Sequence, residues 1–184
     1  MRKHTIVDNS GRESKWGFRM MSWMYFVRDA FFPVDKRLEE FGIREGSTVI
    51  DYGCGPGSYL RRAAALVGEK GKVYAVDIHP LAIAAVEKKI KKFRLGNVEP
   101  VLAQGYKSGL AINTADMIFA IDMFHNVSDP TAFLEELHRI IKHGGVLILA
   151  DGHQPRARTR EKLIDSKAWD IVEETKEHLR CTPI

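Results

Sequence analysis

Cysteine is scarce in this chain. Among 184 residues there are two, Cys54 and Cys181, too few for a disulfide framework or a cysteine-rich metal site. No apolar run reaches membrane-spanning length, and the N-terminus lacks the charged and apolar regions of a secretory signal. These absences suit a cytoplasmic protein with no membrane span. Charge of one sign is also missing: the net charge is +4, a mild basic excess that does not by itself call for nucleic acid. A phosphate-binding G-x-x-x-x-G-K-[ST] string is absent, which argues against a P-loop nucleotidase.

What is present centres on Val49-Ile50-Asp51-Tyr52-Gly53-Cys54-Gly55-Pro56-Gly57-Ser58. A β-branched pair reads as the end of a buried strand. The acid Asp51 stands where that strand leaves the sheet, and three alternate glycines let backbone turn sharply beside a ligand. Ser58 is placed to cap a helix over Tyr59–Val67. Strand, glycine turn and helix in that order form the nucleotide-type site of doubly wound α/β folds. The dinucleotide fingerprint G-x-G-x-x-G would need a third glycine where Ser58 stands, so an NAD-type oxidoreductase is the second choice.

The rest of the chain alternates. A short helix around Val34–Phe41 is closed by Gly42. Strands are expected at Thr48–Asp51, Lys72–Asp77, Val98–Leu102, Met117–Asp122 and Val146–Ala150. Helices are expected at Leu81–Phe93, started by Pro80, and at Thr131–Ile141, started by Asp129-Pro130 and stopped by Gly144-Gly145. Repeated β/α units predict a parallel sheet with helices on both faces. After a basic helical connector, Arg156–Lys167, the stretches Trp169–His178 and Leu179–Ile184 read as an antiparallel hairpin. The expectation is an α/β fold, a doubly wound, mostly parallel seven-stranded sheet with a C-terminal antiparallel hairpin.

The expected strand ends carry Asp51, Asp77 and Asp122, with Asp151 just beyond the fifth, on the rim where parallel sheets bind ligands. Asp77 falls at the distance after the glycine turn suited to ribose hydroxyls. An acidic rim favours a cationic ligand over a pyrophosphate.

At D-x-G-x-G-x-G the chain resembles class I S-adenosylmethionine-dependent methyltransferases of the small-molecule type, over about Leu38 to the C-terminus. That resemblance implies S-adenosylmethionine as cofactor, held by Asp51, Tyr52, Gly53, Cys54, Gly55, Gly57 and Asp77. Ile78 would pack on the adenine. Ala103-Gln104-Gly105 stands where the family often has Gly-Asp-Ala, so Gln104 and Gly105 would meet the base, with Gln104 accepting through its amide oxygen. Asp122 to Pro130 looks like the segment after the fourth strand, and Asp122 joins both the cofactor set and the catalytic candidates. His125 is the first candidate for a base or for positioning the acceptor, ahead of His153. No metal is expected: metal-dependent catechol-type relatives place acids like Asp122 and Asp151 but follow the second with Asn, where this chain has Gly152.

The expected partner is a small methyl acceptor. Nucleic acid is not expected, since the Asn-Pro-Pro-Tyr type motif is missing, although Arg156, Arg158, Arg160 and Lys162 keep a nucleic-acid methyltransferase among the alternatives. A non-catalytic S-adenosylmethionine-binding protein is another. The pattern assigns no oligomeric state. Outside the resemblance, residues 1–33 form a separate segment before a domain at 34–184. Trp16–Phe32 crowds methionine and aromatic residues, and reads as a helix packed on the sheet, as a cover over an apolar acceptor, or as a membrane contact.

Overall fold

The structure is a computed structural model that describes residues 34–184. The expected lid at Trp16–Phe32 lies outside the described residues. The described residues open with α1 (Val34–Glu39) and β1 (Thr48–Tyr52), followed by α2 (Leu60–Val67), β2 (Lys72–Asp77), α3 (Pro80–Phe93), β3 (Val98–Leu102) and β4 (Ala115–Ala120). A 3-10 turn at Phe124–Asn126 leads to α4 (Pro130–Ile140), β5 (Ile141–Leu149), α5 (Arg156–Ser166), β6 (Trp169–Glu174) and β7 (Leu179–Pro183).

Seven strands form one sheet in the order β3-β2-β1-β4-β5-β7-β6. The first five pair in parallel, and β7 inserts antiparallel between β5 and β6. Strand order reverses at β1, whose neighbours are β2 and β4. A crevice therefore opens beyond the carboxyl ends of β1 and β4, the place where such sheets bind ligands.

Alternation along the central strands fills two cores. Val49, Phe119 and Ile148 face one side, with Leu38, Phe41, Leu60 and Val86 from α1, its following loop, α2 and α3. Ile50, Ile118 and Leu147 face the other, with Phe133, Leu134, Leu137 and Leu163 from α4 and α5. Strands buried on both faces need apolar residues at consecutive positions, which is why Val49-Ile50 and Leu147-Ile148-Leu149 carry no polar alternation.

Three local expectations change. Ser58 does not cap α2: Tyr59 holds the N-cap position and makes no side-chain cap bond. The glycine turn reaches one residue further before helix begins, and α2 starts with its N–H groups free of a side-chain cap. The glycines Gly144-Gly145 do not stop α4. Instead α4 runs directly into β5 at Ile141, and the two glycines sit inside the strand, where its register against β4 shifts. Gly144 takes φ +95, and a Cβ on Gly145 would lie 2.6 Å from Ile141 Cγ1, so this pair absorbs a bulge. The fourth strand starts and ends two residues before its expected bounds, leaving Ile121 and Asp122 in the loop.

A buried acid ties the β3–β4 connection to α4. Glu136 Oε1 accepts from the Ser108 N–H at 2.9 Å and from its hydroxyl at 2.6 Å, while Arg139 donates to both carboxylate oxygens at 2.8 Å. Burial pushes the Glu136 carboxyl up, but the bonds from Arg139 and Ser108 outweigh it and hold it below its ordinary value. A lowered carboxylate stabilises the fold above the ordinary glutamate value, and that stability is lost as pH falls through the folded-state value. Glu136→Ala should cost about 2 kcal/mol by stranding the Ser108 donors. Urea unfolding at neutral pH measures this, and the gap between variant and parent should close on acidification.

Candidate functional site

The glycine turn is held from β2. Gly53 and Cys54 N–H groups donate to the Val76 carbonyl at 2.8 and 3.0 Å, and Gly55 N–H donates to Asp77 Oδ2 at 2.9 Å. Gly53, Gly55 and Gly57 take φ of +78, +51 and +78. Side chains are excluded by space as well as by backbone: a Cβ on Gly53 would lie 2.8 Å from Met123 Cγ, and one on Gly57 2.5 Å from Leu60 Cδ1. The turn thus presents bare backbone to the crevice and hands over to α2, whose helix N-terminus faces the same way. Lys89 reaches across from α3 to donate to the Gly57 carbonyl at 2.9 Å.

Asp77 uses both oxygens on backbone, Oδ2 on Gly55 and Oδ1 on the His79 N–H at 2.8 Å. His79 in turn caps α3 by accepting from Leu81 N–H through Nδ1. Beside it lies Asp51, 2% exposed, with Oδ2 buried and unpartnered. Burial, then the Asp77 charge, push Asp51 well above the ordinary carboxylate value, with Lys89 opposing. Burial also raises Asp77, against the hydrogen bonds that favour its ionised form.

The two remaining rim acids are differently placed. Asp122 takes φ +59 and pairs with Arg37 of α1 at 3.5 Å. Asp151 accepts from Arg156 of α5 at 2.7 Å. Asp122 and Asp151 are thus paired with arginines, while Asp51 and Asp77 under the glycine turn have no ion pair among the described residues, with the Lys89 charge only opposing the shift of Asp51. That fits a ligand carrying positive charge there, and an orphaned carboxylate oxygen is the group such a charge would satisfy. Among the described residues, no three His, Cys, Asp or Glu side chains gather as a metal site.

The other candidates separate into corner, core and far rim. Ile78 is 37% exposed and Leu102 50% exposed, side by side at the ends of β2 and β3, where Asp77 and Leu102 are in register. Gln104 and Gly105 follow in an exposed turn that Gln104 closes by exchanging backbone bonds with Lys107. Two open aliphatic surfaces beside an exposed amide suit the face and edge of a flat base. Tyr52 instead turns into the core, its ring edge-on to Phe133 and its hydroxyl donating to the Tyr106 carbonyl. Cys54 is buried too, and burial pushes its thiol up, so it packs as a small apolar group. His125 and His153 meet across the rim with ring centroids 4.9 Å apart.

Arg37 was not legible as a rim residue, because it precedes the first strand and only packing of α1 brings it to Asp122 and to the Tyr59 hydroxyl, 3.3 Å away. Lys162 was legible only as one of a basic run. In the structure Arg156, Arg158 and Arg160 of that run are bonded to Asp151, Glu161 and Glu174, while Lys162 turns to the rim and donates to the Phe124 carbonyl and to Gln154.

Residues 43–181 match the family described as Methyltransferase domain. The chain belongs to that family. The ubiquinone/menaquinone biosynthesis C-methyltransferase UbiE of Klebsiella pneumoniae is 31% identical over 132 residues, which are 71% of this chain and 53% of that protein. The match thus spans about half the length of the curated relatives. A S-adenosylmethionine-dependent methyltransferase structure from Aquifex aeolicus is 32% identical with a TM-score of 0.77, over 85% of this chain and 93% of that one. A TehB-like S-adenosylmethionine-dependent methyltransferase from Corynebacterium glutamicum shares the fold at 13% identity, with a TM-score of 0.71 over 93% of this chain and all of that one. The sheet order and the glycine turn are those of a class I methyltransferase domain, and S-adenosylmethionine is the cofactor of that class. The dinucleotide alternative falls away with this membership.

Asp51 should trade stability for ligand. A raised carboxylate destabilises the fold increasingly as pH rises through its folded-state value, and not at all below its unfolded value. Asp51→Asn should therefore raise the thermal midpoint at neutral pH by a few degrees, about 1 kcal/mol. The same variant should lose affinity for S-adenosylmethionine more than for its uncharged-sulfur product. A midpoint that falls, or equal losses for both ligands by calorimetry, would contradict this assignment.

Proposed function

We propose that the chain transfers the methyl group of S-adenosylmethionine to a carbon of a small, largely apolar acceptor of the phenol or quinol type. The observation that carries this is the buried Asp51–Asp77 pair beneath a bare glycine turn, a site suited to a cation. The acceptor class is supported by the likeness to UbiE, named for C-methylation in quinone biosynthesis.

The cofactor supplies an electrophilic methyl on a cationic sulfur and leaves as a neutral thioether. The turn Gly53–Gly57 would hold its amino-acid end by backbone, and Asp51 would face its positive charge. Asp77 would bond the ribose with its remaining lone pairs, while Ile78 and Gln104 would take the base. Asp122 and His125 would border the acceptor. Residues 1–33 would form a segment apart from the domain at 34–184, with the Met- and aromatic-rich stretch Trp16–Phe32 covering the acceptor and excluding water. The chain itself chiefly aligns two reactants, the effect that dominates in-line displacement.

Neutralisation of the basic run by its own acids favours a small acceptor over nucleic acid. Among the described residues no helix is long and apolar enough to cross a membrane; a cytoplasmic location belongs to this proposal.

The test is a binding and turnover pair. Calorimetry should show S-adenosylmethionine bound and NAD not bound. Asp77→Ala should weaken binding on the order of a hundredfold, since it removes charge-assisted bonds to ribose and the tie to Gly55. Labelled methyl should then appear on a carbon of anaerobically reduced 1,4-naphthoquinol. Deleting residues 1–32 should keep cofactor affinity and abolish that transfer. Labelled product on nucleic acid alone would overturn the acceptor assignment.

A further inference from the structure

The loops after β4 and β5 lie side by side, because their strands pair. In the first, Asp122 with φ +59 turns the chain into the Phe124–Asn126 turn. In the second, Gly152 takes φ +64. An ideal Cβ on Gly152 would lie 2.1 Å from His125 Nδ1 and 2.9 Å from Cε1. The His125 ring therefore rests on Gly152 where any other residue would place a side chain. This is the position at which the catechol-type pattern would require Asn.

That seat decides where the ring carries its proton. His125 Nδ1 is buried and has no hydrogen-bond partner among the described residues. A proton on it would be a buried donor with nothing to accept from it, a rarer arrangement than an unsatisfied acceptor. The neutral ring therefore places its N–H on Nε2, the nitrogen that is not sealed. A second proton is opposed on several sides. Burial, then the neighbouring His153 ring and the Lys162 ammonium, hold His125 below its ordinary value, and only Asp122 works the other way. Asp122 is itself engaged by Arg37 of α1, and Asp151, the acid beside Gly152, is engaged by Arg156 of α5. Lys162 is fixed by the Phe124 and Gln154 oxygens and lies 4.8 Å over the Phe124 ring.

We propose that His125 is a neutral hydrogen-bond donor, through Nε2–H, to the oxygen of an enolate or phenolate acceptor, with Gly152 as the residue that seats it. The assignment rests on the reading of a methyl acceptor at this rim. It makes His125 a donor and not the base that its residue type suggests. The acceptor enters as its oxyanion, and the His125 N–H bonds that oxygen. The ring carbon beside the oxygen forms its bond to the methyl carbon as the carbon–sulfur bond breaks, with the electron pair going to sulfur. Negative acceptor and positive donor become two neutral products. The ring C–H proton then leaves to water as the oxygen regains one, restoring the aromatic ring. A fixed neutral donor keeps its hydrogen bond without taking the charge off the nucleophile, as an imidazolium would.

The first test is spectroscopic. Two-bond proton–nitrogen correlation of the 15N-labelled full chain, with His125→Asn to identify the signal, should show one tautomer at pH 7, protonated on Nε2. It should titrate below an ordinary histidine. Lys162→Met should move that titration upward. Gly152→Ala should return the ring to mixed tautomers while the remaining amide spectrum is kept. A proton on Nδ1, or a charged ring at pH 7, overturns the proposal.

The second test is turnover with S-adenosylmethionine and anaerobic 1,4-naphthoquinol. His125→Asn, which keeps a neutral N–H, should stay within about tenfold of the parent in kcat/KM. His125→Ala should fall on the order of a hundredfold with cofactor affinity unchanged. Equal large losses in both variants would mean a base, and no loss in His125→Ala would mean no role; either overturns the donor. A parent that binds S-adenosylmethionine yet never methylates the quinol removes the acceptor reading itself, and the donor role with it, a result distinct from an active parent indifferent to His125.

Discussion

Asp77 is the joint on which the cofactor side of this domain turns. One oxygen holds the glycine turn through Gly55, and the other holds the head of α3 through His79. His79 then caps the helix with its own ring. A single carboxylate at the end of β2 thus fixes the loop that follows β1 and the head of the helix that follows its own strand. Those bonds favour its charge, yet burial opposes it and prevails. The site is built at a cost in stability that a bound cation would offset, the pattern of a preorganised binding site.

The fold was legible because its signals were local and agreed with each other. Val49-Ile50 before a glycine turn, Pro80 and Asp129-Pro130 before apolar helical stretches, and Leu179–Ile184 after Trp169 each named an element that the structure contains. Where expectation failed, one residue type could serve two purposes. Gly144-Gly145 reads as a helix stop, but the same freedom lets a strand bulge, and the pairing of β5 with β4 decided for the bulge. Ser58 has the chemistry of a cap, but the turn needed one more residue before the helix could start.

The site was legible only in part. Residues placed by local chain order could be read: the structure gathers the glycines and Asp77 in one turn and leaves Ile78 exposed at the end of β2. Partners brought from afar could not. Arg37 lies 85 positions before Asp122, and no spacing rule links them. Lys162 was hidden among arginines that resemble it in sequence but bond to carboxylates, Arg156 to the rim acid Asp151 and Arg158 and Arg160 to Glu161 and Glu174. Gly152 registered as a missing ligand, and its positive role appears only when His125 is seen resting on it.

Pairing of the rim acids divides the crevice into two electrostatic halves. At β1 and β2, Asp51 and Asp77 have no ion pair among the described residues, and Lys89, whose charge opposes the upward shift of Asp51, donates to the Gly57 carbonyl. At β4 and β5 the acids Asp122 and Asp151 are bound by Arg37 and Arg156, with Lys162 beside them. The first half favours a positive ligand and the second tolerates a negative one. The proposed methyl transfer from a sulfonium to an oxyanion-activated carbon would remove both charges at the boundary between the halves. A rim acidic throughout would hold the cofactor equally well but would repel such an acceptor. On the proposed reaction, the arginines from α1 and α5 would therefore matter to the acceptor half even though neither helix carries the glycine turn.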